Sequence, residues 1–238
     1  MEVTDYRGQE CLTAFQVVNF KGVRWLVVAK VDKDEVVTRE FALHKRYYSQ
    51  QLLLAMDEKT CPAMSPSVEG ANKPAVRVDM DEFYRAECSQ GLRTFGISTC
   101  TGFLAVPPGE FAYLAHVSNK DQTYGGTETN LLDQLLENIE RFDVSRSGKR
   151  QLSFLIVAPH LESLEGSLDQ ILDRGYLLSQ INVLSCPQAR TGEIRYDCEG
   201  TVITWTGPDL KPLGTHHIED AANLGKLMET IIAQGPPE

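Results

Sequence analysis

The sequence predicts a mixed fold, α/β or α+β, built on a mostly antiparallel sheet with two or three helices packed against it. Three observations predict it. Apolar runs of strand length recur along the chain, among them Gly102–Val106, Phe111–Val117, Leu152–Ala158 and Tyr176–Leu184. One longer stretch, Thr127–Phe142, instead places Leu131, Leu132, Leu135, Leu136, Ile139 and Phe142 at the 3–4 spacing of a helix with one buried face. Neighbouring strands are separated by tight turn signals, above all Pro107-Pro108-Gly109, which fold the second strand back beside the first.

Taken in order, residues 12–32 hold two apolar runs around Asn19-Phe20-Lys21-Gly22, which predicts a β-hairpin. Phe41–Met56 has the spacing of a short amphipathic helix. Asp57–Pro74, with three prolines and many small polar residues, reads as a linker. The expected organisation is therefore an N-terminal extension over 1–56, a linker over 57–74, a main domain over 75–208 and a helical tail over 209–238. Within the main domain, Val76, Val78 and Met80 alternate with polar residues as in a half-buried strand. Ser118–Gly126 is a polar loop and Thr127 or Thr129 is the expected cap of the helix that follows. Leu152–Ala158 is a buried strand. Ser167-Leu168-Asp169-Gln170 has the form of a capping box, with Gly175 as the stop of a short helix. Tyr176–Leu184 is a strand, Ile194–Tyr196 and Val202–Trp205 form a late hairpin, and His216-His217 lie in a turn before a tail helix over Ile218–Ile232 that covers the core.

The net charge of −10, from 23 basic and 33 acidic residues, disfavours nucleic acid and anionic membrane as partners. The longest apolar run is too short for membrane insertion. The polar, acidic start predicts no secretory leader. Six scattered cysteines (Cys11, Cys61, Cys88, Cys100, Cys186, Cys198) lack metal-ligand spacing, so no metal or cofactor is expected and the compartment expected is a reducing cytoplasm.

One stretch carries chemistry. In Thr94–His116 a cysteine follows a threonine by six residues and a histidine follows the cysteine by sixteen. With the two apolar runs paired antiparallel, Cys100 stands near the start of one strand and His116 near the end of its partner. A Cys–His pair is the minimum for an activated thiolate nucleophile.

These residues resemble the CheD chemoreceptor glutamine deamidases, whose core reads roughly T-x-G-L-G-S-C-V followed by a strand ending in A-H-x-x-L-P. Here Thr94, Gly96, Ser98, Thr99 and Cys100 are followed by Ala115 and His116. Val76 to Phe83 is similar to the family's V-x-V-G-M-x-E-Y opening, and Gly192–Tyr196 with Gly200–Ile203 to its closing hairpin, so the resemblance spans about 76–206. The chain departs from the pattern in having Ser98-Thr99-Cys100 for G-S-C and Ser118-Asn119 for L-P, and the family's G-G-A segment is not visible. Gly22–Glu40 is similar to the last strands of a Cache-type sensor, a strand followed by an acidic turn. The resemblance implies a CheD-like layered sandwich and hydrolysis of a protein glutamine amide through a thioester. Cys100 would be the nucleophile, His116 the proton shuttle, and Thr94 the residue whose hydroxyl orients the imidazole, with the oxyanion held around Ser98 and Thr99. It also implies chemoreceptor substrates, a CheC-like phosphatase as partner and a role in chemotaxis or signal transduction. Two alternatives stand beside it: a deamidase or transglutaminase of the cytotoxic necrotizing factor type, and a CheD-like fold that only binds.

Overall fold

The computed structural model describes residues 2–44, 47–48, 50–51, 74–87, 89–106, 111–118, 131–142, 151–159, 164–197, 199–218 and 221–233. The expected linker lies almost wholly outside these residues. So do the Pro-Pro-Gly turn, most of the Ser118–Gly126 loop, the caps Thr127 and Thr129, and His160.

The architecture is a mixed α/β fold, mostly antiparallel, with two sheets stacked face to face and helices on one side. The six-stranded sheet contains β5 (Glu82–Glu87), β7 (Thr101–Val106), β8 (Phe111–Val117), β9 (Ser153–Ala158), β10 (Ile181–Ser185) and β14 (Ala222–Asn223), in the order β14-β10-β9-β7-β8-β5. The five-stranded sheet contains β4 (Val76–Arg77), β6 (Leu92–Ile97), β11 (Thr191–Asp197), β12 (Gly200–Thr206) and β13 (Pro212–His217), in the order β13-β12-β11-β6-β4. Among the described residues only the β9–β10 and β4–β6 pairs are parallel.

Side chains alternate across each strand, so the six-stranded sheet has two buried faces. Phe103, Ala105, Tyr113, Ala115, Phe154 and Ile156 face the helices. Leu104, Ala112, Leu114, Leu155 and Val157 face the second sheet, where they meet Leu92, Ile194, Ile203 and Trp205. Burial on both sides explains why these strands read as near-continuous apolar runs.

Helix α1 (Lys33–Leu43), α2 (Leu131–Phe142), α3 (Leu164–Asp173) and α4 (Leu224–Ile232) cover the outer face. The α2 stripe buries Leu132, Leu135, Leu136 and Ile139, but Phe142 is exposed at its end. The tail helix α4 buries Leu224, Met228 and Ile231 in the same core as Val37 and Phe41 of α1. Lys33 pairs with Glu229 at 3.0 Å, and the Leu178 N–H donates to Thr38 Oγ1 at 3.1 Å. The first helix and the tail thus belong to the same packed body as the two large sheets.

Several elements differ from expectation. A helix precedes the expected one: α1 starts at Lys33, where the acidic stretch read as a turn is the first helical turn and Asp34 and Glu35 meet the positive end of the helix dipole, while residues 47–48 and 50–51 within the expected Phe41–Met56 helix are helical too. The alternation from Val76 ends early, because Met80 and Asp81 form an exposed turn. Ser167 is no cap: it lies inside α3, buried, with a hydroxyl that has no hydrogen-bond partner among the described residues. Residues 178–180 form a 3₁₀ turn ahead of β10, so that strand begins at Ile181. His216 and His217 are in β13 rather than a turn, and His216 is buried. The tail helix starts at Leu224, capped by Asn223, whose side chain accepts from the Lys226 N–H.

The N-terminal hairpin forms as expected, β2 (Glu10–Phe20) against β3 (Val23–Asp32), with β1 (Glu2–Thr4) added to its base. Its register puts Val18, Phe20, Val23, Trp25 and Val27 on one face and Phe15, Val17, Leu26 and Val28 on the other. Both faces are exposed among the described residues, with Trp25 57% and Leu26 63% exposed.

Candidate active site

The site is built at the seam between the two large sheets. On β8, Ala112 and Leu114 point into the seam, and the same alternation brings His116 there, 2% exposed. On β6, Leu92 and Thr94 point in from the opposite sheet. The two elements meet where Thr94 Oγ1 lies 2.9 Å from His116 Nδ1.

The hydrogen bonds determine the tautomer. The Thr94 hydroxyl donates its one proton to the Val78 carbonyl at 2.8 Å. Its oxygen is therefore the acceptor towards the ring, and His116 Nδ1 carries the hydrogen. The threonine therefore orients the imidazole by accepting. Nε2 is left as the basic nitrogen, and it is buried with no hydrogen-bond partner among the described residues.

Burial, the largest influence, pushes the His116 pKa below its ordinary value, while the nearby carboxylates of Asp81 and Asp79 pull it back up. The resting imidazole is accordingly favoured in its neutral form, with Nε2 ready to take a proton.

Cys100 enters this geometry through the strand register. Gly102 on β7 pairs with His116, and Thr101 with Val117. Cys100 stands in the bend just before β7, two residues ahead of Gly102, and is 4% exposed. By this register the main chain at Cys100 comes to the same end of the sheet as His116, and no hydrogen bond joins the sulfur to Nε2. Gly102 has no room for more: a Cβ there would sit 2.3 Å from Ile194 Cδ1 and 2.5 Å from Ile97 Cδ1. Ser98 and Thr99 form the bend between β6 and β7, Ser98 half-buried and Thr99 exposed.

Two contributors escaped the sequence reading. Gly96 is the first. Glu193 pairs with Phe95 and Gly192 with Ile97, so Gly96 is an extra residue in β6, a bulge at φ +80°. The bulge resets the alternation, and Thr94 and Ile97 both point inward although they are three residues apart. An isolated glycine inside a strand pattern is the signal that would have found it. Asp81 is the second. It bonds to the backbone at His116 and just beyond it: its N–H donates to the His116 carbonyl at 2.8 Å and its Oδ1 accepts from the Ser118 N–H at 3.1 Å. Nothing in the residue spacing marks it.

A second cluster, Asp5, Cys11 and Asp32, brings three ligand-type atoms within 4.8 Å of one another. Its charges are already matched, since Arg7 bridges both aspartates and Lys30 pairs with Asp5. Burial first, then the hydrogen bond to Asp32, pushes the Cys11 thiol up, away from the thiolate a metal needs.

No protein-family model matches the sequence, and no curated protein matches it. The arrangement of Thr94, His116 and Cys100 therefore carries the functional argument. Among the described residues no helix is long and apolar enough to cross a membrane.

Proposed function

We propose that this chain is a cysteine-dependent protein glutamine deamidase of the CheD type. The observation that carries the reading is the buried, unpartnered Nε2 of His116, its tautomer fixed by Thr94, at the same end of the seam as Cys100. A buried ring nitrogen without a partner is costly. It is explained if its partner is the proton that catalysis moves.

The chemistry runs as follows. His116 Nε2 takes the Cys100 thiol proton as sulfur attacks the glutamine side-chain carbonyl carbon. Backbone N–H groups of the Ser98–Cys100 bend hold the oxyanion. The tetrahedral adduct collapses, the C–N bond breaks, and ammonia leaves with the proton from Nε2. Water then gives a proton to Nε2 and its oxygen to the thioester carbon. The C–S bond breaks, glutamate is released, and the proton returns to sulfur. Through both halves Thr94 keeps Nδ1 protonated and stabilises the imidazolium while it exists. The substrate class is a glutamine carried by a protein, chemoreceptor glutamines by resemblance, with a CheC-like phosphatase as the partner and signal transduction as the context.

The test is ammonia release from a panel of glutamine-bearing proteins, chemoreceptor cytoplasmic fragments and casein included, with the converted residue located by peptide mass spectrometry. Glutamine-to-glutamate conversion by the wild type, abolished in Cys100→Ser and His116→Ala, is the expected result. Tight binding of a receptor fragment without any conversion would replace the enzyme with a binding module.

A further inference from the structure

The turn between β4 and β5 holds an aspartate in a conformation that aspartate rarely adopts. Asp81 has φ +60°, in the left-handed region, with no glycine to relieve it. Strain of this kind persists where surrounding bonds over-determine it, and such places cluster at functional sites. The surrounding bonds here are the two at the end of β8: Asp81 N–H to the His116 carbonyl, 2.8 Å, and Asp81 Oδ1 from the Ser118 N–H, 3.1 Å. One residue thus fixes the backbone from the His116 carbonyl to the Ser118 N–H, at the point where β8 ends.

The charge is placed as deliberately as the backbone. The groups that titrate around the imidazole are Asp79 and Asp81 in the turn, Glu82 opposite His116 on β5, and Cys100 ahead of β7. Asp79 is paired with Arg77, and Glu82 turns to accept from the Asp79 N–H at 3.4 Å. The Asp81 carboxylate makes no ion pair among the described residues. Thr94, from the other sheet, brings no charge.

We propose that Asp81 is the positioning residue of His116: it pins the end of β8 with two hydrogen bonds and sets a carboxylate where the imidazolium forms during turnover. This rests on the reading of His116 as the proton shuttle. It differs from Thr94 in kind, because Thr94 selects the tautomer whereas Asp81 stabilises the charged state and keeps the ring from sliding along the seam. The carboxylate also opposes the burial that drives His116 towards neutrality, so the shuttle can both accept and release its proton.

Two variants separate the roles. Asp81→Asn keeps a side-chain acceptor for Ser118 and tolerates a positive φ, but removes the charge. Asp81→Gly keeps the backbone bond and suits the φ, but removes the acceptor. The readouts are the His116 ring titration by NMR, assigned with His116→Gln, and amide exchange at Ser118. Asp81→Asn should leave exchange unchanged and lower the His116 midpoint by about half a pH unit or more. In ammonia release, the acidic limb of its pH profile should move by the same amount. Asp81→Gly should show the same midpoint change and about tenfold faster exchange at Ser118. An unmoved midpoint in both variants, or unchanged exchange in Asp81→Gly, would overturn the proposal. A wild type that releases no ammonia while the NMR shifts appear would overturn the deamidase reading and leave the role of Asp81 standing.

Discussion

Thr94 shows how much a single hydroxyl decides here. It is buried, it spends its proton on a main-chain carbonyl, and it can therefore only accept from His116. Thr94→Val keeps the shape and removes that acceptor. We expect kcat to fall by about 10²-fold or more, as for the loss of an oriented base, with Thr94→Ser retaining most of the activity. The same assay of ammonia release decides it. A valine variant with undiminished kcat would mean that the tautomer is fixed by something else. His116 also predicts how stability depends on pH. Its folded pKa lies below the ordinary value of 6.5, so below pH 6.5 the unfolded chain binds more protons at this residue than the folded one. Its contribution is fully present above 6.5 and is lost as pH falls from there towards the folded-state value. Thermal melts between pH 7.5 and 5 should show a loss that His116→Gln reduces. Identical pH dependence in the two proteins would remove burial of a neutral imidazole as its cause.

At the scale of elements, β6 matters more than its length suggests, because its bulge lets Thr94 and Ile97 face the same layer and leads the chain into the Ser98–Cys100 bend. Nothing lies within 4 Å of a Cβ built on Gly96, but its φ of +80° is one that alanine resists. Gly96→Ala should cost about 1–2 kcal/mol in denaturant unfolding. It should reduce activity by more than that loss explains, since register slips here move Thr94 relative to His116. A fully active, equally stable variant would show that the bulge is incidental. The elements also show what the sequence could and could not reveal. β7, β8 and β9 were legible because burial on both faces makes them continuous apolar runs, and α2 because its stripe is so regular. β5 (EFYRAE) was missed because it is an edge strand whose charged residues break any alternation. The Ser167 box misled because a four-residue pattern cannot tell a helix start from a helix interior. The spacing singled out Thr94 and His116, which the structure brings into contact. The tautomer, the bulge and the Asp81 bonds were not legible, since each depends on which backbone group comes to lie opposite, which only the assembled sheets decide.

For the whole molecule, the structure joins what the sequence separates. Residues 33–43 precede the proline-rich stretch and residues 224–232 follow the main domain, yet Phe41 and Met228 belong to one core with Phe103 and Phe154. Phe41 is fully buried. Phe41→Ala should cost about 3–5 kcal/mol and shift the melting of the entire body by about 10 °C, lowering activity at temperatures where the wild type is stable. Retention of the wild-type Tm would mean that α1 is an appendage. The central claim is a working cysteine–histidine pair at the seam between two sheets, and alkylation tests it most directly. The measurement is the rate of iodoacetamide labelling at each of the six cysteines from pH 5.5 to 9, read by peptide mass spectrometry, in the wild type and in His116→Ala. The account predicts that Cys100 reacts fastest near neutral pH, despite being only 4% exposed, and loses that advantage without His116. Labelling of Cys100 no faster than the other five, or indifferent to His116, would contradict it.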